Sequence, residues 1–316
     1  MSTAFDEIVT LLCNVDQEIT PDRVTGLSDL DPDQLSRFST VWEGLQVERR
    51  RSLIQLLGVE AYAHVELNFE HVCRLALGDS DPAVRQMSID NLWECEDPAL
   101  VTPFLRALAS DVSASVRRSA AAALGQYVLL GEVEQIRPEL RHEIEEGLIA
   151  AGGAGGTPEV RRAALESLGY SSRDEVPGMI RRAYASGDEP FIRSALVAMG
   201  RSANAVWKPE VQAQINSSAP ALRLAAVKAA GELELTETVP ELVELLDDVS
   251  DEVRRSAIWS LGQLGGDVAR QVLGDLLESS EDTGETQSVQ DALDNLAFVD
   301  GTRDLLMFDL DSSDTD

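Results

Sequence analysis

Lysine is almost missing from this chain. Lys208 and Lys228 are the only two among 316 residues, against 24 arginines and 56 acids, and the formal net charge is −30. A body this acidic repels phosphate backbones, and no basic stripe relieves it, so nucleic acid is not an expected partner. Histidine and cysteine are scarce too, at three each. Cys13, Cys73 and Cys95 are an odd number without CxxC spacing, which predicts reduced thiols and a cytoplasmic location, not a disulfide framework. No apolar run approaches the roughly 18 residues that span a bilayer, and MSTAFDEIVTLL has acids where a secretory signal has a basic region. Aromatics make up 5%, so the expected interior is Ala, Leu, Val and Ile.

What the chain has instead is a period. With Val253 of DEVRRSAIWSLGQLGG as position zero, Ala257 stands at plus four, Leu261 at plus eight and Gly262 at plus nine. The frame recurs from Val116, Val160 and Leu222, more loosely from Phe191 and Val84, and in divergent form from Arg49 and Ser288. Four successive starts, from 160 to 253, are each 31 residues apart.

Each unit reads as two helices. Apolar residues at zero, plus four, plus five and plus eight share one helical face. Asp81, Ser113, Thr157, Asp188 and Ser250, three residues earlier, are predicted to cap the first turn. The plus-nine glycine is predicted to stop the helix as a left-handed C-cap. A second helix is predicted near Pro103, Pro177, Pro209 and Pro240. Alternating strand patterns are lacking. Such pairs cannot bury their apolar faces alone, so they must stack.

The pattern D-x-x-V-R-x-x-A-x-x-x-L-G followed by V-P-x-L-x-x-L-L resembles the HEAT repeat, and its 31-residue spacing is similar to the short variety named after phycobilisome lyases. The resemblance implies an all-α solenoid of about 7–8 helix pairs over residues 47–299. The unit at 127–157 is longer and ends in the loop GGAGG. Residues 1–46, with a helix expected from Pro32 to Gly44, form a non-repeat cap, and 300–316 an acidic tail whose final DLDSSDTD is expected to be disordered.

No catalytic constellation emerges. There is no GxSxG, and the histidines are too few for a triad. GGAGG lacks the preceding strand and following Gly-Lys of a phosphate loop. His64, His71 and Cys73 fall on one predicted helix but fix no metal geometry, and no cofactor is implied. HEAT-type deoxyhypusine hydroxylases use several His-Glu pairs, whereas His142-Glu143 stands alone. HEAT-like DNA glycosylases need a basic face. The repeated Arg85, Arg117, Arg161, Arg223 and Arg254 read as structural ties between units.

The resemblance implies that second helices line a concave face. Aligned on their prolines, they place Arg181 and Tyr184, then Glu210, Glu241, Glu244, Asp247, Asp275 and Glu278 on one ridge, acidic toward the C-terminus. The expected function is a non-enzymatic scaffold or adaptor that takes a protein partner with a basic segment there. The alternative is a bilin lyase-like or other HEAT-associated enzyme subunit. Trp259, where other units carry Glu166 or Lys228, is unexplained by the repeat.

Overall fold

The computed structural model describes the backbone of residues 4–14, 16–280 and 282–312, and the side chains of those up to 299. It is an all-α solenoid, with no strand among the described residues. The chain divides into two compact units, Met1–Ser167 and Leu168–Asp316.

The first unit contains α1 (Ala4–Cys13), α2 (Pro21–Val24), α3 (Pro32–Gly44), α4 (Val47–Ala63), α5 (Glu70–Ala76), α6 (Pro82–Asp90), α7 (Val101–Ser110), α8 (Ala114–Glu132), α9 (Pro138–Gly152) and all but the last residue of α10 (Pro158–Leu168). Asp31 and Gln34 close a reciprocal capping box at the start of α3, which has proline at its first position. Phe5, Ile8, Leu12, Phe38 and Trp42 of the non-repeat segment share a core with Leu53, Ile54 and Leu57 of α4. Burying each such side chain stabilises by about 1.5–3 kcal/mol. Arg49 of α4 donates to the carbonyls of Leu11, Leu12 and Gln17, which holds a cation against the C-terminal end of α1. The helices that carry position zero stack in order, α4 on α6 and α6 on α8, and α7 packs into α8 from the other layer.

The second unit repeats this arrangement with α11 (Val176–Tyr184), α12 (Glu189–Arg201), α13 (Lys208–Ile215), α14 (Pro220–Glu232), α15 (Val239–Glu244), α16 (Asp251–Leu264), α17 (Asp267–Ser279) and α18 (Thr283–Ser312). Position-zero helices α12, α14, α16 and α18 stack in sequence, each also packed by the preceding second helix. Val253, Ala257 and Leu261 of α16 are fully buried, as the periodicity requires. The backbone of 300–312 continues α18. The last four residues of the acidic tail lie outside the described residues.

Two readings need correction. The plus-nine glycines do not stop their helices in the left-handed region; Gly125, Gly169, Gly200, Gly231 and Gly262 are all absent from the positive-φ residues. Four of the five lie inside helices, with α8 running seven residues beyond Gly125. They mark close approach instead. A Cβ at Gly262 would stand 2.8 Å from the Ala292 carbonyl oxygen of α18, and one at Gly169 would stand 2.7 Å from the Ala198 Cα of α12. The reversals fall later, on Glu134, Ala203 and Glu234 at φ between 47° and 61°.

Ser113 and Ser250 do not cap their first turns through their side chains, although Asp81 and Asp188 do. An aspartate two residues earlier takes over: Asp111 and Asp248 accept the N–H groups of Ser113 and Ser250 at 2.8 Å.

Candidate functional site

The repeated arginines bond to acids and carbonyls of the loops between units. Arg85 donates from Nε and Nη2 to both oxygens of Asp111, each at 2.8 Å, and from Nη1 to the Asp79 carbonyl. Arg223 repeats the geometry on Asp248 and on the Ser217 carbonyl. Arg50 pairs with Asp79 at 2.9 Å, where the Trp42 indole N–H also donates. Arg117 and Arg254 reach only carbonyls six residues back, apart from the Arg254 pair with Asp251. The planar forks of Arg85 and Arg223 thus tie one unit to the loop that opens the next, whereas Arg117 and Arg254 hold the loop of their own unit.

The electrostatics follow. Hydrogen bonding from Arg223 holds the Asp248 carboxyl below its usual range, with help from the Ser250 N–H. At Asp111 burial pushes the other way, but the bonds from Arg85 and the Ser113 N–H outweigh it and the net shift is downward. Arg51 does the same for Asp81, together with the first-turn amides, to about 2. The aspartate column at 79, 111 and 248 escaped the sequence reading. Its signal is an Asp five residues before position zero, matched to an Arg one residue after it in the preceding unit.

The proposed partner ridge lies entirely in the second unit. Arg181 is exposed, yet its guanidinium lies 5.1 Å from the ring centre of the buried Trp207, so it packs α11 toward α13. The Tyr184 hydroxyl donates to the Glu210 carbonyl and accepts from Gln214, both at 3.1 Å, which serves the same joint. Glu210 and Glu241 are half-buried in the first turns of α13 and α15, where a negative charge suits the helix N-terminus. One carboxylate oxygen of each is buried without a hydrogen-bond partner.

The remaining four differ. Glu244 of α15 and Asp275 and Glu278 of α17 are exposed, and α15 packs beside α17. Asp247 is exposed too, but it falls in a 3-10 turn at Leu245–Asp247, so α-helical spacing does not describe its direction. Among the described residues none of the four side chains forms an ion pair or hydrogen bond.

The metal candidates separate. His64 caps the end of α4 beside Glu60 and Glu66, whereas His71 and Cys73 belong to α5, so they share no helix face. No cluster of His, Cys, Asp or Glu able to hold a metal occurs among the described residues. Burial pushes the Cys73 thiol up to about 12, so it is no nucleophile at neutral pH. No helix among the described residues is long and apolar enough to cross a membrane.

Comparison with solved structures finds distant likenesses. Escherichia coli YibA is 16% identical, with a TM-score of 0.44 over 89% of this chain and 98% of that one. The CpcE–CpcF complex of phycocyanin lyase from Nostoc sp. PCC7120 is 20% identical, with a TM-score of 0.48 over 72% of this chain and 94% of that one. Importin beta is 13% identical, with a TM-score of 0.37, and this chain spans 51% of its length. No curated protein matches the chain. Residues 70–141 and 208–294, just over half of the sequence, match the family described as HEAT repeats. Stacked helix pairs in this register, with that match, place the chain in the HEAT-repeat family.

Proposed function

We propose that the protein is a non-enzymatic interaction scaffold whose exposed acids on α15 and α17 receive a basic segment of a protein partner. The observation that carries this is the contrast between two sets of carboxylates. Asp111 and Asp248 are consumed by arginines within the fold. Glu244, Asp247, Asp275 and Glu278 are exposed and unpaired among the described residues. Unpaired like charges on adjacent helices repel one another, and a cationic partner relieves that repulsion while gaining steering and register.

The test is charge reversal. A variant with Glu244, Asp247, Asp275 and Glu278 changed to Lys is compared with the parent in affinity capture from the native host, with helicity checked by circular dichroism. Loss of a partner bearing a basic segment, without loss of helicity, supports the reading. An unchanged set of captured partners overturns it.

A further inference from the structure

The other layer of the second unit carries a site of different chemistry. α14 and α16 bound a groove of about 570 Å³, lined by Leu224, Lys228 and Glu232 on one side and Glu252, Arg255, Ser256 and Trp259 on the other. Trp259 is 41% exposed. Its indole is held in place against α14, because its Cζ3 lies 2.8 Å from where a Cβ at Gly231 would stand. The groove therefore has a fixed, solvent-facing aromatic wall with an aliphatic residue, Leu224, on the opposite helix.

Its cations are unusual for this molecule. In a chain with 56 acids, Lys228 and Arg255 form no hydrogen bond or ion pair among the described residues. Lys208, the other lysine, is paired with Glu237. Carboxylates are within sequence reach on the same helices, so scarcity of acids is not the cause. The Glu232 carboxylate sits over Gly200 of α12, where a Cβ would overlap it, and forms no ion pair with Lys228, although the charges of Arg201 and Lys228 still act on it. By repeat position Arg255 and Lys228 are four residues apart along parallel helices, a rise of about 6 Å.

Between those levels lies Ser256. It is 4% exposed, and its hydroxyl has no hydrogen-bond partner. Other buried serines are satisfied, with Ser88 donating to the Val84 carbonyl and Ser260 to that of Val227. A buried hydroxyl left unmade is costly, and here it belongs to the lining of the groove, beside two cations whose charges act on Glu232 and Asp282 without a direct ion pair.

We propose that this groove binds a flat aromatic group carrying a single carboxylate. The ring stacks on Trp259 against Leu224, and the carboxylate accepts from Lys228, Arg255 and Ser256. Glu252 and Glu232 stand at the two ends by helix position. They leave room for one compact anion and repel a polyanion such as a nucleic-acid backbone. Either a free aromatic acid or the C-terminal aromatic residue of a peptide supplies this chemistry.

The experiment is calorimetric titration of the full chain with 1-naphthoate, and with its uncharged analogue 1-naphthamide. A peptide ending in phenylalanine is run in parallel as the free acid and as the amide. Saturable 1:1 binding of a carboxylate form, with its amide weaker by about tenfold or more, is expected from loss of the charge-assisted bonds. Trp259→Ala and the pair Lys228→Met with Arg255→Met should weaken binding to a similar degree, while the acidic-ridge reversal should not. Ser256→Ala and Trp259→Leu serve where a larger change lowers the melting temperature. Binding of naphthoate alone assigns a small aromatic acid, and binding of the peptide alone assigns a chain terminus. The proposal is overturned if no carboxylate probe saturates below about 10 mM, if acid and amide bind alike, or if the groove variants bind as the parent does.

Discussion

At the residue scale the decisive feature is the bidentate arginine–aspartate tie that Arg85 and Arg223 place at the boundary to the next repeat. Arg85 and Asp111 are both largely withdrawn from solvent, so removing one strands the other. Arg85→Ala should destabilise the protein by about 2–4 kcal/mol in urea unfolding. Arg254→Ala, which loses one carbonyl bond and a pair to the exposed Asp251, should cost no more than about 1 kcal/mol. The same pairs set an acid dependence. Asp81, Asp111 and Asp248 have carboxyl groups held below their usual range in the fold. Unfolded, they bind protons from about pH 3.9, so between the two values the unfolded state binds more. Their stabilisation is complete above the unfolded value and fades as pH falls through the folded one, near 2 for Asp81. Melting temperature should be flat from pH 7 to about 5 and then drop, and Asp81→Asn should shallow that drop. An unchanged slope in the variant would contradict the assignment.

At the element scale the glycines separate propensity from packing. Gly262 and Gly274 are both inside helices of the second unit. A Cβ at Gly262 meets the backbone of α18 within 2.9 Å, while one at Gly274 meets nothing within 4 Å. Gly274→Ala should therefore stabilise by about 0.5–1 kcal/mol through backbone entropy. Gly262→Ala should destabilise by about 1–3 kcal/mol, because α16 and α18 must move apart. Opposite signs in thermal melts are the expected result; equal signs would mean the close approach is not rigid. The glycine at plus nine was legible as a special position in the repeat, but its role was not. A helix stop and a helix contact both select glycine, and only the neighbour's location distinguishes them.

At the scale of the whole molecule, charge is the dominant long-range term. A net charge of −30 favours expanded states through self-repulsion. Raising salt from about 0.02 to 0.3 M shortens the Debye length several-fold, and the melting temperature at pH 7 should rise. A fall would mean that the arginine–aspartate ties outweigh the repulsion. The ridge on α15 and α17 adds to that repulsion, and its charge-reversal variant should show a weaker salt response.

The architecture was determined by the sequence, because a 31-residue recurrence of apolar positions can be buried only by stacking like on like. The acidic columns were legible for the same reason, since helix spacing fixes which residues share a face. Tertiary structure decided which of those charges are available. Arg181 and Tyr184 align with the ridge in sequence yet are drawn into the joint with α13, because Trp207 and the Glu210 carbonyl stand within reach there. The groove at Trp259 was visible only as a residue that broke the repeat. Its chemistry needs α14 and α16 side by side, with Gly231 leaving space for the indole and Ser256 left without an acceptor. Periodicity reports what is common to the units, whereas a site is made where one unit departs from its neighbours and the packing turns that departure into a cavity.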